Sequence, residues 1–169
     1  MEQPIDVVRR YLQDCIAAER NFESQLRAFS QEGEQDDVKR LFAQHADETR
    51  HQYERLEGRL RELGGTPSAM RSFIAHLFGF APKTASLGHE DVERSSQDLM
   101  VAYSVERAEE GMYEALATVA SAAGDTQTEQ LARSIQQEER ATAGKVWSMI
   151  APSVRDAFNK LTGRKTLTA

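Results

Sequence analysis

The sequence predicts an all-α domain: four long helices in a bundle, joined by two short connections and one long crossover. Three observations lead there. Proline occurs only at 4, 67, 82 and 152, which leaves long runs free of the residue least tolerated inside helices. In four of those runs, apolar residues return every three or four positions, the helical period. No segment alternates with the period of two expected of a half-buried strand. The 169 residues suit a single domain, 1–169, able to bury about 70% of its unfolded surface.

The first helix, about 4–30, carries Val8, Leu12, Cys15, Phe22, Leu26 and Phe29 on one stripe. The second, about 34–63, carries Val38, Leu41, Phe42, Tyr53, Leu56, Leu60 and Leu63, and stops at Gly64-Gly65, since glycine accepts the left-handed conformation that closes helices. The third, about 90–123, carries Leu99, Ala102, Tyr103, Tyr113, Leu116 and Ala120 and ends near Gly124. The fourth, about 126–150, starts with Thr126 three residues before Glu129, the spacing of a capping box. It continues through Leu131, Ile135, Val146, Met149 and Ile150, and a short tail helix at about 152–161 is expected beyond it. The crossover, about 66–89, contains Phe73, Ile74, Leu77, Phe78 and Phe80. These are expected to form a short helix docked on the bundle, because crossovers of this length usually cover their own core.

Composition removes several classes. Hydrophobic residues make up 40% and charged residues 28%, which argues against intrinsic disorder. Acids outnumber bases 27 to 21, for a net charge of -6, so no chain-wide basic surface for nucleic acid is expected. The basic end, Arg155, Lys160, Arg164 and Lys165, is interrupted by Asp156 and reads as a solvated tail. The single cysteine, Cys15, excludes an internal disulfide and any Cys-x-x-Cys iron site. Its place on the first stripe reads as a buried small hydrophobe. The longest uncharged apolar-rich stretch, 72–82, is too short to cross a bilayer, and no signal peptide is visible. A cytoplasmic location is expected.

The anomaly is acid where a core should be. Every member of the first stripe is apolar except Glu19. Glu106 shares a face with Leu99, Ala102 and Tyr113, and Glu109 flanks it. Glu139 shares a face with Ile135, Val146 and Met149. Glu48 stands at the edge of the second stripe, with His51 three residues on and His45 three residues before. A carboxylate inside a bundle must be paired, protonated or bound to a cation. Acids at mid-length on all four helices, with imidazole, suit iron or manganese. The order is quasi-symmetric, since Glu106 follows Glu19 by 87 residues and Glu139 follows Glu48 by 91.

These residues resemble the ligand pattern of rubrerythrin-type members of the ferritin-like superfamily: Glu on the first helix, Glu-x-x-His on the second, Glu-x-x-Glu on the third and Glu-x-x-His on the fourth. The matching residues are Glu19, Glu48-x-x-His51, Glu106-x-x-Glu109 and Glu139-x-x-Thr142. Length, helix order and the apolar crossover are most similar to the bacterial YciE/YciF-type stress-associated proteins. The resemblance implies a ferritin-like bundle, with one long crossover, and a di-iron site formed by Glu19, Glu48, His51, Glu106, Glu109 and Glu139. Glu48 and Glu139 would bridge and His51 would be a terminal ligand. Thr142 stands where the family has its second histidine, so one ion instead of two, or manganese, stays open. His51 is favoured over His45 by the Glu-x-x-His spacing, and both remain candidates.

The competing reading is a bundle whose acids pair with arginines. Arg20, Arg50, Arg107 and Arg140 all stand near these acids in sequence, but neighbours at one or two residues point to different helix faces. Glu110 and Glu138 read as solvated or outer groups, Tyr103 and Tyr113 as core residues, Trp147 as packing, and His76 and His89 as surface residues. The expected function is ferrous oxidation by oxygen or peroxide in stress protection, by a homodimer drawing electrons from a separate donor, without nucleic acid or membrane. No catalytic residue beyond the metal ligands is assigned. The alternatives are a non-catalytic bundle that dimerises or binds a partner through Phe73, Phe78 and Phe80, and a hydroxylase-like enzyme with a channel to the metals.

Overall fold

The computed structural model describes residues 1–67 and 90–164. It contains α1 (Pro4–Phe29), α2 (Asp36–Glu62), α3 (Arg94–Ala122) and α4 (Thr126–Thr162), with a short 3-10 turn, Asp91–Glu93, leading into α3. No strand occurs among the described residues. The molecule is an all-α bundle. α1 pairs with α2 and α3 with α4, while α1 also lies along α3 and α2 meets α4. Most of the crossover, with Phe73, Ile74, His76, Leu77, Phe78, Phe80 and His89, lies outside the described residues, as does Lys165.

Local chemistry sets the helix ends. Pro4 occupies the first helical turn of α1, where its missing N–H has no partner to lose. α2 closes with Gly64 at φ +76°. The Gly64 and Gly65 N–H groups donate to the carbonyls of Arg61 and Leu60, each at 2.9 Å, so two terminal carbonyls of the helix are satisfied.

Two features of α4 differ from expectation. Its cap is Asp125, not Thr126: one carboxylate oxygen accepts the Thr128 N–H at 3.1 Å and the other accepts the Thr128 hydroxyl at 2.5 Å. Arg59 of α2 reaches the same cap, at 2.6 Å from Asp125 and 2.8 Å from the Thr128 hydroxyl, and ties the two hairpins together. In addition, α4 runs unbroken through Pro152 where a separate tail helix was expected. Pro152 is exposed, as is Ser148 one turn before it, so the carbonyl freed by proline faces water. The opposite face of this segment is held by buried Ser153 and Ala157. The Gln35 amide donates to the Ser153 carbonyl and to Asp156, both at 3.2 Å.

The core comes in two apolar blocks. One, at the N-terminal end of α1 and towards the α3–α4 loop, includes Val8, Leu12, Cys15, Ile16, Leu56, Leu60, Tyr113, Leu116 and Ile135. The other includes Phe22, Leu26, Phe29, Val38, Phe42, Ala46, Leu99, Ala102 and Val146. Fully burying each large side chain contributes roughly 1.5–3 kcal/mol. Trp147 is not part of this packing: it is 62% exposed, with its ring 5.1 Å from that of Tyr103. Between the two blocks, at mid-length on every helix, the inward positions are polar.

Candidate metal centre

The helical period carries Glu19, Glu106, Glu109 and Glu139 inward, and none is more than 1% exposed. They sit between apolar neighbours on their own helices, Cys15 and Phe22 around Glu19 and Ile135 and Val146 around Glu139, so the helix cannot turn them out without exposing its core stripe. α2 contributes His45, 3% exposed, its ring edge-on to Phe22 at 5.4 Å between centroids. His45, Glu106 and Glu139 each offer a ligand atom, all within 4.8 Å of one another.

Much of this cluster lacks partners. The Glu106 and Glu109 carboxylate oxygens, one Glu19 oxygen and both His45 ring nitrogens make no hydrogen bond. His45 Nε2 lies 2.8 Å from Glu106 Oε1, yet out of line for a hydrogen bond. Two donor atoms about 2.0–2.2 Å from one ion stand roughly 3 Å apart, so the spacing fits adjacent ligands of a shared cation. Two contacts orient the rest. The Tyr113 hydroxyl donates to Glu19, and the Gln52 amide donates to Glu139 at 2.5 Å.

Burial and crowding disfavour negative charge here. Burial first, then repulsion from Glu139, holds the Glu19 carboxyl well above the usual range, against the pull of the Tyr113 hydroxyl. Glu106 is raised by burial and by Glu139 and Glu109, and Glu109 by burial and by Glu19 and Glu139. Glu139 is lifted by burial to about 7, with Glu106 and the Gln52 amide drawing it partway back. Burial, aided by Lys145, lowers His45 to about 4. At neutral pH the imidazole is therefore neutral, the form that ligates metals.

The four arginines that stand near these acids in sequence pair elsewhere. Arg20 pairs with Glu57, Arg50 with Asp47 and Glu54, and both Arg107 and Arg140 with Glu110. Among the described residues no Lys or Arg is paired with Glu19, Glu106, Glu109 or Glu139. Glu138 is an outer group, held by Arg55 at 2.8 Å and reached by Gln52 at 3.3 Å.

A family model described as a domain of unknown function, DUF892, matches residues 4–159. The chain belongs to the DUF892 family. No curated protein is similar enough to match it. Among solved structures, a protein of Xanthomonas campestris pv. campestris superposes with a TM-score of 0.79 at 21% identity, over 95% of this chain and 99% of that one. The Escherichia coli stress protein YciF superposes with a TM-score of 0.77 at 23% identity, over 92% and 99%. YcfI of Rhodopseudomonas palustris gives 0.76 at 24%, over 86% and 94%. At these identities the likeness establishes the fold.

In this DUF892 chain the six sequence candidates separate. Glu19, Glu106, Glu109 and Glu139 come together in the centre. Glu48 and His51 do not. Glu48 is 37% exposed, accepting the Gln44 amide at 2.8 Å with Lys145 at 3.8 Å. His51 is 68% exposed beside Glu54. The physical reason is register: the buried positions of α2 near the site are His45, Ala46, Thr49 and Gln52, and Glu48 and His51 each stand one residue off from Thr49 and Gln52. His45, the other candidate, takes the inward place. Gln52 and Thr49 line the same layer and carried no sequence signal of chemistry. Thr142 is buried beyond Glu139. Tyr113 and Cys15 are buried as expected.

Proposed function

We propose that this chain is a ferritin-like carboxylate metal protein that binds iron, or manganese, between the two apolar blocks and oxidises ferrous iron with oxygen or peroxide. One observation carries the reading: an imidazole and four carboxylates converge, buried, from all four helices with no Lys or Arg of the described residues paired with them. An isolated buried carboxylate is strongly disfavoured, and four together more so. The group that relieves this at neutral pH is a divalent cation, and one imidazole with oxygen ligands suits iron or manganese.

His45, Glu106 and Glu139 would hold the first ion. Glu19 and Glu109 supply carboxylates for a second, or complete the shell of one. Iron, when bound, supplies single electrons: two ferrous ions reduce one peroxide to two waters, consuming two protons. The chain's residues do the rest. The Gln52 amide fixes one oxygen of Glu139. The Tyr113 hydroxyl holds Glu19 and keeps a proton beside it. Phe22 and the flanking apolar blocks exclude bulk water. Without a cysteine iron site, turnover requires a separate electron donor. Peroxide removal under stress follows from this chemistry.

The test is metal content by mass spectrometry after anaerobic reconstitution with ferrous iron, with thermal unfolding of loaded and metal-free protein. A ligand that binds only the native state raises its stability. Near two ions per chain with a raised Tm supports a di-iron centre, and near one supports the His45 half alone. No bound metal and an unchanged Tm would reduce the acids to a protonated structural network.

A further inference from the structure

A cavity of about 420 Å³ opens between α1 and α3 on the side of the centre away from α2 and α4. Its lining is mostly apolar or small, with Tyr11, Ala108, Gly111 and Met112, and has Arg10 and Asp14 as its two charged members. Cys15, only 1% exposed, forms its floor. The floor is also the roof of the acid layer. Cys15 lies one helical turn before Glu19 on the same stripe, and Met112 lies three residues after Glu109. The Cys15 thiol is within electrostatic reach of both acids, and burial with Glu19 beside it keeps the thiol protonated and neutral.

We propose that this groove is the entry by which a compact uncharged oxidant, of the class of dioxygen and hydrogen peroxide, reaches the carboxylate centre, with the Cys15 side chain as the last barrier. The inference rests on the metal reading and adds the route. The volume exceeds that of a dozen waters at roughly 30 Å³ each, so a small molecule enters without moving a helix. The lining chooses the class. The mostly apolar walls strip the hydration from an ion. A neutral molecule meets no such obstacle. The groove ends one side chain short of the acids, which suits a diatomic or peroxide-sized guest better than the bulky substrate of a hydroxylase. Gly111 offers the means of closing it: a Cβ built there meets no atom within 4 Å, so the backbone leaves room for a side chain to start into the groove.

The experiment uses Gly111→Phe to fill the groove and Cys15→Ala to thin its floor, each in the full chain. In the metal-free protein, reaction of the only cysteine with methyl methanethiosulfonate, a small neutral reagent, is followed by intact mass. Gly111→Phe should slow this labelling at least tenfold with unchanged Tm. After ferrous loading, the same variant should slow oxidation by hydrogen peroxide about tenfold and Cys15→Ala should speed it, with equilibrium cobalt(II) affinity unchanged in both. Iron that binds normally and is oxidised at the wild-type rate in Gly111→Phe overturns the groove. Slower cobalt(II) uptake with unchanged oxidation of pre-loaded iron would make it the cation's path and overturns it too. Failure of ferrous iron to bind the wild-type chain at all is a different result, and sinks the metal reading itself.

Discussion

Replacing Glu139 by Gln should change stability in opposite directions with and without metal. In the metal-free protein the Glu139 carboxyl titrates at about 7 in place of 4.5. A raised carboxyl pKa carries no penalty below the unfolded value. It accumulates one as pH rises from 4.5 towards 7 and holds it above that. At 1.36 kcal/mol per pH unit, a window of about 2.5 units amounts to about 3 kcal/mol at pH 8. Gln is nearly isosteric and cannot ionise, and its carbonyl still accepts the Gln52 amide. Removing this charge also relieves Glu19, Glu106 and Glu109, each of which it repels. Metal-free Glu139→Gln should therefore be more stable than wild type at pH 8 by about 3 kcal/mol. At roughly 2–4 °C per kcal/mol for a chain of this size, that is a rise of about 6–12 °C in Tm. The two proteins should converge near pH 4.5. With cobalt(II) or manganese(II) at about a hundred times Kd, wild type should gain about 2.7 kcal/mol and the variant much less. The assay is thermal unfolding by circular dichroism at pH 4.5 and pH 8, with and without metal. A metal-free variant that is less stable than wild type at pH 8, with no metal increment in either protein, would refute the argument and make Glu139 a structural acid.

Other perturbations separate the remaining parts. Because burial lowers His45 to about 4, its contribution is intact above pH 6.5 and is lost as pH falls towards 4, by about 3 kcal/mol. His45→Gln should flatten that acid limb of the metal-free stability curve and weaken cobalt(II) binding by isothermal titration, whereas His51→Gln should alter neither. Tyr113→Phe removes the donor to Glu19 and should cost about 1–3 kcal/mol in urea unfolding, with an unchanged m-value. Asp125→Ala removes both the cap of α4 and the partner of Arg59, and should lower metal-free stability by about 1–2 kcal/mol while leaving the metal increment intact.

The fold was legible because all four helices show their periodicity and two, the second and third, also announce their stops. On α1 the stripe is complete, and its single acid stands out against apolar neighbours a turn away on either side. Glu139 is bracketed in the same way by Ile135 and Ala143, and the pair Glu106 and Glu109 lies between Ala102 and Tyr113, so sequence alone carries them inward. α2 shows why this logic has a limit. After Ala46 its inward positions before Leu56 are Thr49 and Gln52, and His45 stands just ahead of them, all three polar, so the apolar signal lapses for nine residues just where the site lies. Leu41 and Tyr53, only partly buried, pull the apparent stripe sideways, and the Glu48-x-x-His51 spacing then fills the gap with chemistry. Each residue turns the helix by about 100°, so an error of one residue moves both side chains from the core to the surface. The corrected register changes the symmetry as well. Glu139 follows Thr49 by 90 residues and Thr142 follows Gln52 by 90, so the quasi-equivalent of Glu139 on α2 is a threonine. Neither half keeps Glu-x-x-His. The imidazole enters from His45, one turn nearer the block of Phe22 and Phe42, and sits against Glu106. Two carboxylates, Glu19 and Glu109, remain on the Tyr113 side without an imidazole. On the metal reading proposed above, such a site would hold one ion more tightly than a second, which is why the stoichiometry of ferrous loading bears on mechanism as directly as any rate.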